Sequence, residues 1–347
     1  MKKYSKLGIL SAIILLIAFT SCQNQDIEQL ENNNQTQPFV PTNTSDATSI
    51  ITDSKTEEPT QMVSPPARIF YAMAYDPHRK RVVLFGGRTE NGDVNSTWEY
   101  DGLTWKEMQP LQSPPPSSLI AMAYDPKRKV TVLYIPLGDH AGETWEYDGQ
   151  TWHYIDMSMP PQIYEQSAMA YDPQRESIVL FGGQYTIDTW QYVDQVWLPL
   201  NVHAPVSFRM LDVSMDFDFY RERLVLQPLI NVTPVTLELP SSGDWQIAVD
   251  GNETKTFPEK RAFVSIAYDS QRQVTVLFGG DETQYTWEYD GYSWKRASPI
   301  DSPSARYGHS IVYDEDRGVI VMFGGSNPEN LLLNDTWEYD GTTWAQR

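Results

Sequence analysis

Met73–Gly87 reads "MAYDPHRKRVVLFGG", and this stretch returns five times along the chain. It reappears as "MAYDPKRKVTVLYIP" from Met122, "MAYDPQRESIVLFGG" from Met169, "IAYDSQRQVTVLFGG" from Ile266 and "IVYDEDRGVIVMFGG" from Ile311, with a worn copy, "MDFDFYRERLVLQPL", from Met215. The aspartates at its centre, Asp76, Asp125, Asp172, Asp218, Asp269 and Asp314, are spaced by 49, 47, 46, 51 and 45 residues. A period of this length marks a repeat architecture, in which each unit buries its apolar faces on its neighbours.

Each unit predicts four short strands. A-M-A-Y alternates small and large residues, V-V-L-F is a β-branched and aromatic run, and T-W-E-Y sets Trp and Tyr on one face; the closing Trp of "TWEYDGLTW" (Thr97–Trp105) begins the fourth strand. Y-D-P-x-R supplies a tight turn between the first two strands, and D-G a hairpin signal between the last two. All 11 tryptophans of the chain fall in two slots per unit, and Leu237 fills the slot left over. Large aromatics at matched places in successive sheets are what face-to-face sheet packing requires, so these residues are core.

The Gly-Gly pair after the second strand (Gly86-Gly87, Gly182-Gly183, Gly279-Gly280, Gly324-Gly325), followed by the Tyr and the Trp, is similar to the kelch repeat. More narrowly, the pattern resembles bacterial kelch proteins related to the central domain of galactose oxidase. The resemblance implies a six-bladed kelch-type β-propeller of four-stranded antiparallel blades over residues 67–347. Units two and four depart from it, with Ile135-Pro136 and Pro228-Leu229 in place of the glycine pair, and are expected to turn differently there. No exchange of strands between the termini is evident, so ring closure is expected to rest on packing of the first blade against the last.

Upstream of the repeats the chain reads as an address. Lys2, Lys3 and Lys6 precede an apolar stretch, Leu7–Phe19, of the length of a signal-peptide core. Thr20-Ser21-Cys22 after it resembles the lipobox of bacterial lipoproteins, which implies a signal peptide over residues 1–21 and lipidation of Cys22. By the same analogy Gln23 favours the outer membrane if the cell is Gram-negative. Residues 22–66 are rich in Asn, Gln, Thr, Ser and Pro and are expected to form a disordered tether, because they cannot bury enough apolar surface to offset their ordering entropy. Random-coil scaling gives this tether a reach of roughly 35–40 Å. The expected location is the bacterial cell envelope, lipid-anchored and extracytoplasmic.

Composition narrows the function. The formal charge is −20, with no basic cluster to override it, so nucleic acid is excluded as an expected partner. The single cysteine, Cys22, rules out a disulfide framework, cysteine-based metal sites and the cysteine-dependent copper chemistry of galactose oxidase. Neither a cofactor nor a metal is expected.

Two rims of the ring differ in kind. One carries the recurring Y-D-x-x-R and Y-D-G-x-x-W turns, whose arginines (Arg79, Arg128, Arg175, Arg221, Arg272, Arg317) are expected to pair with the turn Asp or with the Glu of T-W-E-Y. Six near-identical turns cannot make one asymmetric site. The opposite rim carries connections and loops that differ between units, and loop variation on a rigid frame is where specificity resides. Eight residues before the repeated Asp stand Arg68, Ser117, Tyr164, Arg261 and Arg306, with Arg209 shifted by one. Arginines at this rim resemble those of kelch domains that bind acidic peptides and of kelch-fold sialic acid mutarotases, and planar guanidinium forks suit carboxylates. Ion pairs with nearby acids such as Asp212 and Glu165 are the structural alternative. Arg68, Arg209, Arg261, Arg306, Tyr164 and His309 are therefore the candidate ligand-binding residues.

The sequence points to a binding or scaffold module for an extracytoplasmic protein or glycan partner rather than to catalysis. The competing reading is a mutarotase- or epimerase-like enzyme acting on an anionic sugar, with His309 or Glu165 as acid–base group. Convergence of Arg68, Arg261 and Arg306 on an open pocket would favour the enzyme; carboxylates capping them would oppose it.

Overall fold

The computed structural model describes residues 64–347 apart from 138–139, 158, 164–166, 183–187, 206–209, 231–234, 252–255, 259–260 and 281–282. The expected signal peptide, Cys22 and nearly all of the expected tether lie outside the described residues, as do Tyr164, Glu165 and Arg209.

The chain forms a six-bladed β-propeller. Blade 1 consists of Ala72–Asp76, Arg81–Phe85, Thr97–Tyr100 and Trp105–Met108 in that spatial order, each strand antiparallel to the next. The other blades repeat this plan behind the inner strands Ala121–Asp125, Ser167–Asp172, Met210–Asp218, Ser265–Asp269 and Ser310–Asp314. The inner strands stand side by side around a central channel, with that of blade 6 against that of blade 1.

The A-x-A alternation sets the blade spacing. Ala72 and Ala74 of blade 1 present small side chains to Ile120 and Met122 of blade 2, and Ala168 and Ala170 meet Val213 and Met215 in the same way. Small against large lets twisted sheets interdigitate at native density. The second strands are the driest part of the molecule: Val82, Val83, Leu84 and Phe85 are fully buried, as are Val276, Leu277 and Phe278.

Recurring Trp, Thr, Tyr and Glu residues bolt one blade to the next. The outer-strand Trp donates its indole N–H to the third-strand Thr of the preceding blade, as Trp152 does to Thr97 (2.9 Å), Trp197 to Thr144 (2.9 Å) and Trp245 to Thr189 (3.0 Å). Tyr147 donates to Glu99 (3.0 Å) and Tyr192 to Glu146 (2.7 Å) across the same seams. The turn arginines pair as expected: Arg79 with Asp76 and Glu99, Arg272 with Asp269 and Glu288. All of them but Arg175 also lie over the Tyr ring of the following blade, Arg79 at 5.4 Å from the Tyr147 centroid. This contact explains the glycine of D-G: a Cβ on Gly149, whose φ is +93°, would sit 2.6 Å from Arg79 Nε. The glycine serves blade packing as well as its own turn.

Blades 6 and 1 close the ring without exchanging a strand. The same bolts recur there, Trp105 to Thr336 (2.8 Å), Tyr100 to Glu338 (3.1 Å) and Arg317 over Tyr100. The segment before blade 1 adds backbone bonds, from the Arg68 N–H to Leu333 O (3.2 Å) and from the Gly325 N–H to Arg68 O (3.0 Å). Blades 2 and 4, which lack the glycine pair, run their second strands on to eight residues, Val130–Leu137 and Arg223–Ile230. Left-handed glycines end this strand elsewhere; without them the hairpin continues past the rim.

Candidate functional site at the channel mouth

Six residues before the repeated Asp, at the entry to the inner strands, Phe70 (φ +60°), Leu119 (φ +57°), Phe263 (φ +56°) and Gly308 (φ +63°) all adopt left-handed backbone. Three of them are bulky non-glycine residues, for which this conformation carries strain that the surroundings must hold in place. Backbone hydrogen bonds do so: the Leu119 N–H donates to Phe70 O (2.9 Å), the Phe70 N–H to Gly308 O (2.9 Å) and the Gly308 N–H to Phe263 O (3.0 Å). Blades 2, 1, 6 and 5 are thereby stitched together around the mouth.

This backbone aims aromatic side chains over the channel. The rings of Phe70 and Phe263, from blades 1 and 5, meet at 4.9 Å, and Phe263 lies 6.2 Å from Tyr307. Gly308 between them makes room, since a Cβ there would stand 2.4 Å from Ile69 and 2.9 Å from Phe70. Phe70, Leu119, Phe263 and Tyr307 are half-buried and so keep surface toward solvent. Beneath them lies a cavity of about 160 Å³, lined lower down by Met73, Met122, Met169 and Met215.

Two loops from the second strands flank this platform. In blade 1 a small hairpin pairs Arg88–Thr89 with Gly92–Asp93, tied by an Arg88–Asp93 ion pair at 2.7 Å. In blade 6 the Asn327 N–H donates to Leu331 O, and the Tyr307 hydroxyl donates to Asn330 Oδ1 (2.7 Å), which leaves Leu331 at the loop tip 61% exposed.

The three described candidate arginines sit behind this surface. Arg68 and Arg306 are fully buried and Arg261 nearly so. Each passes under the glycine pair of its own blade: Arg68 Nη1 donates to Gly86 O (2.9 Å) and Ser96 Oγ (3.1 Å), and Arg261 Nη1 to Gly279 O (3.1 Å) and Thr283 Oγ1 (2.8 Å). Arg306 forms a two-pronged pair with Asp335 (2.6 and 2.8 Å) and also reaches Gly324 O (3.0 Å). Burial pulls the Arg68 guanidinium down to about 10, so it stays charged at neutral pH. The Arg306 guanidinium holds Asp335 below the usual carboxylate range, against the opposing effect of burial.

Of the described candidates, His309 alone lines the central cavity. Its ring meets Phe278 edge-on at 5.6 Å. Burial, with Arg306 adding to it, pushes the imidazole down to about 3, so it is neutral at physiological pH. Among the described residues no cluster of His, Cys, Asp and Glu is arranged to hold a metal.

The arginines thus belong to the frame of the mouth, and the residues at its surface are Phe70, Phe263, Tyr307 and Leu119. A sequence signal for them exists: two phenylalanines and a leucine stand at a repeat position that blade packing does not require to be large.

No protein-family model matches the chain, and no curated protein matches it. Among solved structures, the fold is similar to that of a mutant of the Aleuria aurantia lectin in complex with Fucα1-6GlcNAc. The two share 12% identity at a TM-score of 0.58, over 81% of this chain and 96% of that one. At that identity the likeness is one of fold.

Proposed function

We propose that this chain is a cell-envelope lipoprotein of kelch type, anchored through Cys22, whose propeller is a binding module for an extracytoplasmic protein or glycan. The observation that carries the reading is the strained aromatic platform of Phe70, Phe263 and Tyr307, set at the mouth where the flanking loops are non-equivalent. Rigid aromatics with a polar rim are the usual anchors of recognition surfaces. In this reading Arg68, Arg261 and Arg306 shape the rim from within and the aromatics touch the partner. The lectin of similar fold, held in complex with a disaccharide, supports the glycan arm by analogy of architecture only.

The enzyme reading on an anionic sugar draws less support. The three described arginines are engaged inside their blades, and His309 is buried and neutral. The test is a glycan array together with a pull-down, using the protein from residue 62 onward. At least one ligand class is expected, with a loss of about 10-fold or more on Phe263→Ala, the size of a hot-spot truncation. Silence in both assays rejects the binding reading. Globomycin-sensitive processing of the full chain tests the anchor.

A further inference from the structure

Blade 3 departs from its neighbours where its third strand begins. In blades 2 and 6 an acid just before the T-W pair accepts the indole N–H: Trp145 donates to Glu143 (2.9 Å) and Trp337 to Asp335 (2.7 Å). Blade 3 keeps both partners, Asp188 and Trp190, yet they do not bond each other. Asp188 is exposed and Trp190 half-buried, and among the described residues neither the carboxylate nor the indole N–H has a hydrogen-bond partner.

Both border a recess of about 480 Å³ beside the strand pair Thr189–Val193 and Val196–Pro199. Trp190, Pro199 and Leu200 supply its apolar lining, and Asp188, Asn201 and His203 its polar one. The strap over it is fastened at both ends. The Leu200 N–H donates to Thr189 O (2.8 Å), the His203 N–H to Asp244 Oδ1 (2.8 Å), and the Trp245 N–H to His203 O (3.0 Å). A recess whose walls are held before any ligand arrives loses little entropy on binding.

We infer that this recess is a second ligand site, lateral to the channel, that takes a neutral sugar ring. The size falls in the range of small-ligand pockets, and the lining is an apolar body with a few directed polar groups. An indole face suits the apolar C–H face of a pyranose, its free N–H can donate to a hydroxyl, and a carboxylate and an amide can accept and donate to adjacent hydroxyls. The lining contains no Lys or Arg, and the chain carries a formal charge of −20, so an acidic sugar is disfavoured. The inference rests on the glycan arm of the function proposed above but not on the mouth.

The test is saturation-transfer NMR on the purified protein with neutral hexoses, 6-deoxyhexoses and N-acetylhexosamines, and with a uronic acid as the anionic probe. Millimolar binding of a neutral sugar is expected, at least about 10-fold tighter than the uronic acid. Asp188→Asn and Asn201→Ala, both at exposed positions, should each weaken it several-fold without lowering the melting temperature. Tyr292→Ala, at a residue 84% exposed in a turn of blade 5, should leave it unchanged. Equal binding of the uronic acid overturns the inference. So does a signal that survives Asp188→Asn and vanishes in Phe263→Ala, which would place the sugar at the mouth. Absence of any neutral-sugar signal also overturns it, whereas a protein partner recovered in the pull-down would leave the wider binding reading standing.

Discussion

Asp216 occupies the place on the inner strand of blade 4 where Ala74, Ala123, Ala170 and Ala267 stand in blades 1, 2, 3 and 5. Its carboxylate accepts the Tyr268 N–H of blade 5 (2.7 Å) and the Phe217 N–H (2.8 Å), while the neighbouring Ser214 accepts the Ile266 N–H (3.0 Å). Polar residues here cap the free edge of the next inner strand, as Ser265 does for the Ile311 N–H of blade 6 (3.0 Å). Asp216 is half-buried, and burial pushes it up to about 6, against the two N–H bonds and with a small push from Asp218. A folded value above the ordinary carboxylate value means that the native state binds the extra proton, so this group's contribution to stability falls as pH rises from about 4 through 6. The remaining exposure discounts the effect to roughly 1–3 kcal/mol at pH 7. Asp216→Asn keeps an acceptor for Tyr268 and cannot ionise. It is expected to raise the urea midpoint relative to the parent at pH 7, with the gain vanishing near pH 4. An equal gain at both pH values would show that ionisation of Asp216 is not its source.

Elements were far more legible in the sequence than the site was. The inner strands follow from A-x-A-Y and its variants S-I-A-Y, S-I-V-Y and S-M-D-F, and the outer Trp slots mark the core, because these residues recur under one geometric demand. Arginines stand eight residues before Asp76, Asp269 and Asp314, and their spacing could not distinguish a guanidinium facing a ligand from one threaded beneath a glycine pair. The left-handed backbone that aims Phe70 and Phe263 has no one-dimensional signature. A paired departure does: blade 3 has Gln191 where other blades have Glu, and blade 4 has Leu239 where the facing Tyr belongs. This is the seam without the Tyr–Glu bolt, and Arg175 there reaches Asp172 and Pro240 O (2.7 Å) instead. Restoring both partners with Gln191→Glu and Leu239→Tyr should stabilise more than the two single changes together, by about 0.5–2 kcal/mol. Gln191→Glu alone should gain little, and Leu239→Tyr alone should gain less than in the pair, because the Gln191 amide oxygen is a weaker, uncharged acceptor. A double-mutant cycle in urea checks this, and strict additivity would mean that the seam cannot adopt the geometry of the other five.

At the scale of the ring, blades 6 and 1 carry the same Trp–Thr and Tyr–Glu bolts as blades 1 and 2 but no interblade connection. Between blades 1 and 2 the chain itself holds the partners at high effective concentration, so a seam that loses its bolts tends to close again. Between blades 6 and 1 no such link exists, and the seam is held by non-covalent contacts alone, among them Trp105–Thr336, Tyr100–Glu338, Tyr75–Asp316 (2.7 Å), Lys80–Asp316, the Ser310 N–H to the Tyr71 hydroxyl (3.0 Å), the backbone bonds of Arg68 and Phe70, and the packing of Tyr71 and Met73 on Val321 and Phe323. The cheapest partial opening of the molecule is therefore expected at this seam. Thr336→Val with Tyr100→Phe removes two bolts there, and Thr97→Val with Tyr147→Phe removes the equivalent two between blades 1 and 2. Each pair should cost about 2–4 kcal/mol, because a buried indole N–H loses its acceptor and a carboxylate loses a donor. Native-state hydrogen exchange separates the two cases. The first pair should speed exchange in the strands Ala72–Asp76 and Ser310–Asp314 while the remaining blades stay protected. The second should lower protection throughout, through global unfolding. Identical exchange patterns for the two pairs would mean that the ring opens as one unit, with the 6–1 seam as firm as those the chain links.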